Sequence, residues 1–346
     1  SLSLVGTGTL TGGGALTSDA AGLATFAGLS VDVAGTKQLS ASIPPRTPSS
    51  VVLTSVTSVV FTVTPAAPAA LTFALGPSDV VAGVAIAPAV QVKVSDTFGN
   101  GVPGQLVSLS LVGTGTLTGG GALTSDAAGL ATFAGLSVNL VGIKQLTALS
   151  GVLTPLSSAA FTVTPAAPAL ITFAVPPSNV VAGVAIAPAV QIRLNDAFGN
   201  VVPGQLVSLS LVGTGALSGG GAVTSDASGL ATFAALSVDL VGSKQLTASS
   251  GALAPVTSAA FTVSVAPAAL VTFNIQPSPV LVNALITPAV QLGVTDVFGN
   301  PRFGESVAVT LVGVGVLSGG ATVLTDAAGL ATFAALSVNL AGSFQL

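Results

Sequence analysis

The sequence predicts an all-β protein built from tandem β-sandwich domains of about 100 residues each. Three observations predict this fold class. The sequence repeats itself at a period of about 100 residues, short runs within each repeat alternate apolar and polar residues, and turn residues separate these runs. No segment keeps an apolar period of about 3.6 residues, so we expect no helices.

The repeat is visible when the sequence is compared with itself. Residues 1–30 recur unchanged as residues 108–137, and residues 80–91 recur as residues 180–191. The comparison predicts four domains: a partial repeat (1–64), two complete repeats (65–164 and 165–264) and a second partial repeat (265–346). Their junctions contain proline, which predicts short and fairly stiff linkers. Because residue 1 falls in the middle of a repeat, we expect the chain to be a window from a longer polypeptide.

The second repeat shows the predicted elements in order. Strands are expected near residues 71–73, 90–94, 107–111, 129–136, 142–148 and 159–163. Asp96–Asn100 and Asp126–Gly129 are predicted turns, because Asp accepts local backbone hydrogen bonds and Gly allows a positive φ. About seven short strands per repeat indicate an immunoglobulin-like sandwich. We expect the four phenylalanines of the repeat to fill the space between the sheets: Phe73, Phe98, Phe133 and Phe161.

Composition excludes most enzymatic chemistry. Only 5% of the residues are charged, the formal net charge is −4, and His, Cys, Met, Trp and Tyr are absent. The chain therefore has no imidazole base, thiolate nucleophile, disulfide or ordinary zinc or haem site. We predict no enzyme, no catalytic residue and no cofactor.

The charge distribution and the length of the apolar runs argue against nucleic-acid binding and against a membrane-spanning helix. Seven basic residues are scattered among eleven acidic ones, so no basic patch for nucleic acid is expected. The longest apolar run, residues 80–90, contains Gly83 and Pro88 and is shorter than the roughly 20 residues that a membrane-spanning helix needs. No transmembrane segment is predicted.

Recurrent aspartates and lysines are the candidate site residues. Weak calcium candidates are Asp96, Asp126, Asp196 and Asp226, although calcium usually takes six to eight oxygen ligands and a turn-forming role suits these positions better. Lys37, Lys144 and Lys244 could form isopeptide crosslinks, but Phe344 replaces the lysine in the last repeat. We favour exposed surface lysines.

A motif in every repeat resembles a known family. The runs VQVKVSDTFGNGVPGQLVSLSL and GTLTGGGALTSDAAGLATFAGLSV are similar to the bacterial immunoglobulin-like repeats of the invasin and intimin type, which occur in giant surface proteins. The positions that carry the resemblance are Val92, Val94, Asp96, Gly99, Asn100, Pro103, Val107, Thr124, Asp126, Gly129, Ala131 and Thr132. The resemblance implies an exported bacterial or archaeal stalk or adhesin array.

The neutral surface predicts association between copies of the chain. Edge strands usually carry charges, prolines or bulges that prevent pairing, and the sequence shows few of these. We therefore expect a structural repeat region of an extracellular filament, sheath or matrix protein, which associates laterally or head to tail. The alternative is the stalk of a bacterial surface adhesin, which holds a separate tip toward a host or neighbouring cell. Both hypotheses place the protein outside the cell or at its surface.

Overall fold

A computed structural model describes residues 1–43 and 53–346, and within these residues the secondary structure is β-strand without helix. The predicted all-β fold is confirmed. The chain divides into two compact units, Ser1–Ala166 and Ala167–Leu346. None of the described residues forms a helix that could span a membrane.

The strands follow the sequence repeats. Those of the first repeat are Leu2–Val5, Leu10–Thr11, Ser30–Val31, Gly35–Ala41, Val56–Thr57 and Phe61–Val63. Those of the second are Ala70–Leu75, Val80–Val81, Val90–Ser95, Leu106–Val112, Leu117–Thr118, Leu123–Thr124, Leu130–Phe133, Ser137–Val138, Gly142–Leu149, Leu156–Ser157 and Phe161–Thr164.

The second unit repeats the same order of strands. Those of the third repeat are Leu170–Val175, Val180–Val181, Val190–Asn195, Leu206–Val212, Leu217–Ser218, Val223–Thr224, Leu230–Phe233, Ser237–Val238, Gly242–Ser249, Val256–Thr257 and Phe261–Ser264. Those of the fourth are Leu270–Ile275, Val290–Thr295, Ser306–Val307, Leu317–Ser318, Val323–Leu324, Leu330–Phe333 and Ser337–Val338.

Each complete repeat is a sandwich of two sheets. In the second repeat, Val90–Ser95 lies between Ala70–Leu75 and Leu130–Phe133 in a three-stranded antiparallel sheet. The facing sheet is centred on Leu106–Val112 and Gly142–Leu149, which are antiparallel neighbours. Its edge holds the parallel pair of Phe161–Thr164 with Val80–Val81, with Val163 opposite Val80. This arrangement recurs in the third repeat. The predicted tandem immunoglobulin-like sandwich is confirmed.

Alternation along the strands creates the core. Val90, Val92 and Val94 point inward from one sheet and meet Val107 and Leu146 from the other, and all five are fully buried. Burying an aliphatic side chain of this kind contributes about 1.5–3 kcal/mol. Equivalent clusters form in the third repeat and, with fewer members, in the fourth. In the described part of the first repeat no apolar side chain is fully buried.

The phenylalanine prediction is half right. Phe133 and Phe161 are buried, and Phe73 packs against the core while partly exposed. Phe98 is wrong as a core residue, because it lies on a turn beyond the ends of the sheets and is 64% exposed. Its counterparts Phe198 and Phe298 are also exposed.

One edge strand of the three-stranded sheet, Ala70–Leu75, contains a β-bulge that we did not predict. The pairing register of Ala70–Leu75 with Val90–Ser95 shifts between Phe73 and Leu75, and the same shift recurs in the third and fourth repeats. A bulge of this kind twists an edge strand and hinders pairing with another chain.

Candidate functional site: the joint between repeats

Two joints between neighbouring repeats lie inside a compact unit. One joins the first and second repeats within Ser1–Ala166, and the other joins the third and fourth repeats within Ala167–Leu346. At each joint, the Asp-x-Phe-Gly-Asn turn of the later repeat contacts a loop of the earlier one.

The aspartate builds the turn. Asp96 Oδ1 accepts hydrogen bonds from the backbone N–H groups of Phe98 and Asn100, both at 2.9 Å. Gly99 has φ +85°, a conformation that costs glycine little, and its N–H donates to Asp96 O at 3.2 Å. Asp296 makes the same two carboxylate contacts, both at 2.9 Å. The predicted turn at Asp96–Asn100 is confirmed.

The second carboxylate oxygen ties the linker to the turn. Asp96 Oδ2 accepts from Ala66 N at 2.9 Å and from Asn100 Nδ2 at 2.9 Å. In the fourth repeat, Asp296 Oδ2 accepts from Ala266 N at 3.0 Å and from Asn300 Nδ2 at 2.8 Å. Hydrogen bonds to a charged acceptor are stronger than neutral ones, so this carboxylate holds the linker, the turn and the asparagine together.

The asparagine reaches across to the earlier repeat. Asn100 Nδ2 donates to Asp32 O at 2.9 Å, and Asn100 Oδ1 accepts from Ala34 N at 2.9 Å. The side-chain amide therefore pairs with the backbone of this loop as a neighbouring strand would. We call the Asp96–Asn100 pair with these two contacts the latch.

The second unit contains the same latch. Asn300 Nδ2 donates to Asp239 O at 2.8 Å, and Asn300 Oδ1 accepts from Val241 N at 3.1 Å. Asn300 is only 3% exposed, whereas Asn100 is half-buried. Two joints that differ in their neighbouring residues thus use the same asparagine and the same pair of backbone groups.

The joint of the second unit has an aromatic contact as well. A β-carbon placed on Gly183 would lie 2.2 Å from Phe298 Cζ, so the phenylalanine ring packs directly on this glycine of the third repeat. Gly183 has φ +75°. Phe298 is 40% exposed, compared with 64% for Phe98.

An arginine clamps the linker of the same joint. Arg302 Nη1 donates to Ala266 O at 3.0 Å, and Arg302 Nε donates to Glu305 Oε1 at 2.8 Å. Arg302 and Glu305 form the one ion pair found within residues 1–43 and 53–346. Val102 and Gln105 stand at these positions in the second repeat.

The latch keeps its aspartate ionised. Burial raises the pKa of Asp96, but hydrogen bonds from the Asn100 side chain and from the N–H groups of Ala66, Asn100 and Phe98 outweigh it and lower the pKa to about 2. The pKa of Asp296 is also lowered, because the Asn300 side chain and the backbone N–H donors outweigh the opposing effect of burial. The backbone N–H of Thr9 lowers the pKa of Asp32 in the loop that the first latch contacts.

The expectation of exposed lysines at positions 37, 144 and 244 is wrong. Each is only 3% exposed, and each Nζ donates to a threonine hydroxyl at 3.0–3.1 Å. The acceptors are Thr7, Thr114 and Thr214, respectively. A β-carbon on Gly113 would lie 3.2 Å from Lys144 Cδ, so glycine leaves room for the lysine chain. Lys37 Nζ also lies 3.5 Å from Ala34 O, beside the first latch.

The calcium candidates all lie in turns. Asp96 and Asp196 each bind two backbone N–H groups of the first turn through Oδ1. Asp126 and Asp226 do the same in the second predicted turn, at 2.7–3.0 Å. Across the described residues, no group of three or more His, Cys, Asp or Glu side chains is placed to hold a metal ion. The contacts favour the turn-forming role, which the sequence pattern also favoured over calcium binding at these positions.

The sequence contained signals for the residues that we missed. Asn100 recurs as Asn200 and Asn300, whereas the turn itself requires only the preceding Asp and Gly. Lys144 is in phase with buried Leu146 and Ala148 along one strand, so the period of two places it inward. The partners of Asn100 lie more than 60 residues earlier in the chain, and local patterns carry no information about them.

The fold and the joints define a chain of tandem immunoglobulin-like sandwiches, and it is similar to several solved structures. The adhesin FdeC of Escherichia coli is 20% identical over 79% of this chain and 89% of its own, with a TM-score of 0.43. InvD of Yersinia pseudotuberculosis is 16% identical over 76% and 82%, with a TM-score of 0.38. Invasin, described as a bacterial integrin-binding protein, is 21% identical over 72% and 51%, with a TM-score of 0.31. No protein-family model and no curated protein matches the chain.

Proposed function

We propose that this chain is the structural repeat region of an extracellular filament, sheath or matrix protein. In it, latches fix the first repeat to the second and the third to the fourth, and copies of the chain associate through neutral β surfaces. The repeats serve as its domains, with the bounds 1–64, 65–164, 165–264 and 265–346. The observation that carries the proposal is the latch, which occurs with the same atoms in both compact units.

The latch resists bending and twisting at the joint. Rotation of one repeat against its neighbour must break two hydrogen bonds of the asparagine amide, and in the fourth repeat that amide is almost fully buried. Each hydrogen bond contributes about 0.5–1.5 kcal/mol, and the bond to the charged carboxylate contributes more. The linker N–H is held by the same carboxylate, so a load on the linker passes into the turn.

The surface supports association between copies. In the third repeat Lys244 and Asp196 are buried, so Arg193, Asp226 and Asp239 are the charges left at its surface. Large apolar side chains are exposed elsewhere, including Ile143, Val152 and Val184. A surface with few charges offers little repulsion to a second copy. Because one edge strand of the three-stranded sheet, Ala70–Leu75, is bulged, we place the contacts on the sheet faces rather than at that edge.

Sedimentation velocity over a wide range of concentrations tests the proposal, with electron microscopy of the same samples. We expect assemblies that grow with concentration and show an ordered repeat. The double variant Ser110→Lys with Ser210→Lys, on exposed positions of equivalent strands, should reduce assembly, whereas Ser110→Thr with Ser210→Thr should not. A chain that stays monomeric at every concentration contradicts self-association.

The alternative function is the stalk of a bacterial surface adhesin that projects a separate binding tip toward a host or neighbouring cell. The recurring bulge on the edge strand favours this alternative, because it hinders edge-to-edge pairing in every repeat that contains the strand. The stalk would be supported by a chain that stays monomeric and whose Ala34 and Val241 amides exchange slowly, which shows that both latches are formed.

A further inference from the structure

Asn100 differs from its counterparts in the residue that follows it. Asn100 precedes Gly101, Asn200 precedes Val201, and Asn300 precedes Pro301; no other Asn-Gly dipeptide occurs in the chain. The following residue decides whether an asparagine side chain can react with its own backbone. Glycine leaves the next peptide nitrogen accessible, a β-branched residue hinders it, and proline has no N–H proton to lose.

We propose that Asn100 is a self-modification site, converted to Asp or isoaspartate through ring closure with Gly101 when the first latch opens. The Gly101 nitrogen attacks Cγ of Asn100 and gives up its proton. The bond from Cγ to Nδ2 breaks, ammonia leaves, and a cyclic imide remains. Water then adds to either carbonyl and opens the ring, so the net change is amide plus water to acid plus ammonia.

The latch controls this reaction because it holds the reacting group. Oδ1 of Asn100 accepts from Ala34 N, and Nδ2 donates to both Asp32 O and Asp96 Oδ2. Ring closure must turn the side chain away from all of these partners, so the closed latch protects the amide.

The modification cannot be reversed by reclosing the joint. A carboxylate at position 100 has no N–H to donate to Asp32 O, and it places a second negative charge beside Asp96. Each opening that leads to reaction thus leaves the first latch permanently weakened. The effect of the modification on the stiffness of the chain rests on the proposed function. The chemical conversion of Asn100 does not rest on it.

Mass spectrometry of the full chain tests the site. Folded and urea-unfolded chains are incubated at the same neutral pH, then denatured and cut with trypsin, which releases residues 94–144 with Asn100. In the unfolded chain we expect conversion at Asn100 to be much faster than at Asn200 and undetectable at Asn300. In the folded chain we expect conversion at Asn100 to be slowed by about tenfold or more, as for a group reached through local opening.

A Gly101 variant cannot serve as the control, because a β-carbon on Gly101 would lie 1.9 Å from Ala128 O and would disturb the fold. Asn200 and Asn300 of the same chain are therefore the internal controls. Ala34→Pro removes the donor to Asn100 Oδ1 and should accelerate conversion in the folded chain. Hydrogen exchange at Ala34 in the unaltered protein gives the opening rate independently of this variant. Equal rates at Asn100 and Asn200 in urea, or equal rates at Asn100 in folded and unfolded chains, would overturn the proposal. Loss of self-association alone would not affect it.

Discussion

The two joints share a latch and differ in what surrounds it. In the first unit, Asn100 is half-buried and Phe98 points largely into solvent. In the second unit, Asn300 is buried, Phe298 packs on Gly183, and Arg302 clamps the linker.

We distinguish two contributions to the stability of a joint, the latch itself and the contacts that surround it. The Asp–Asn latch is present at both joints, with the same asparagine hydrogen bond to the earlier loop. The aromatic contact and the arginine add burial around a latch that already exists. We therefore expect the latch to determine whether a joint is formed, and its surroundings to determine how often it opens.

The largest effect is expected from removing the latch carboxylate. Asp296→Ala leaves the N–H groups of Ala266, Phe298 and Asn300 without their acceptor, which should lower the free energy of unfolding by about 3 kcal/mol. Urea unfolding measures the loss, and hydrogen exchange at Val241 should become faster. The matched control is Asp326→Ala, in an exposed turn with two similar N–H contacts, which should cost less and leave exchange at Val241 unchanged.

Acid should open the first latch without any substitution. The folded pKa of Asp96 is about 2, below the value of 3.8 for an ordinary aspartate, so the stabilisation is complete above pH 4 and is lost as the pH falls toward 2. NMR signals of the Asn100 side-chain amide should move over this range. Asp96→Asn should abolish the movement; a midpoint near 3.8 in the unaltered chain would contradict the lowered pKa.

An intermediate loss of stability is expected from substituting Gly183, the glycine on which the ring of Phe298 packs. Gly183→Asn keeps a residue that tolerates positive φ, as Asn283 does at φ 59° in the fourth repeat, but places a side chain where Phe298 lies. Overpacking of this kind should cost about 1–2 kcal/mol. The loss should shrink in a Phe298→Ala background. If the two effects simply add in the double variant, positions 183 and 298 are not coupled and overpacking against Phe298 is not the cause of the loss.

The smallest effect is expected at the arginine clamp. Arg302→Val with Glu305→Gln resembles Val102 and Gln105 of the second repeat and removes a partly exposed ion pair and one bond to the linker. We expect a loss of about 1 kcal/mol or less, with faster exchange at Val241 and no change at Ala34. Unchanged exchange at Val241 would show that the clamp does not stabilise the latch.

The sequence predicted the strands and turns because these depend on nearby residues. The alternation of Val90, Val92 and Val94 predicted a half-buried strand, and Asp96 with Gly99 predicted the turn that follows it. The joint depends on residues distant in the chain, so its partners Asp32 and Ala34 could not be predicted. Phe98 was misplaced because composition assigns phenylalanine to cores, whereas here its position on the turn decides its environment.

The buried lysines also affect how the protein withstands chemical attack. The chain has only seven basic residues, and three of them, Lys37, Lys144 and Lys244, lie inside folded repeats. Within the described residues, the basic side chains that reach the surface are Lys93, Arg193 and Arg302. Proteases that cut after basic residues, and reagents that modify amines, therefore have few targets while the repeats stay folded. Sparse charge and inward lysines together leave few surface sites for cleavage after basic residues or for amine modification.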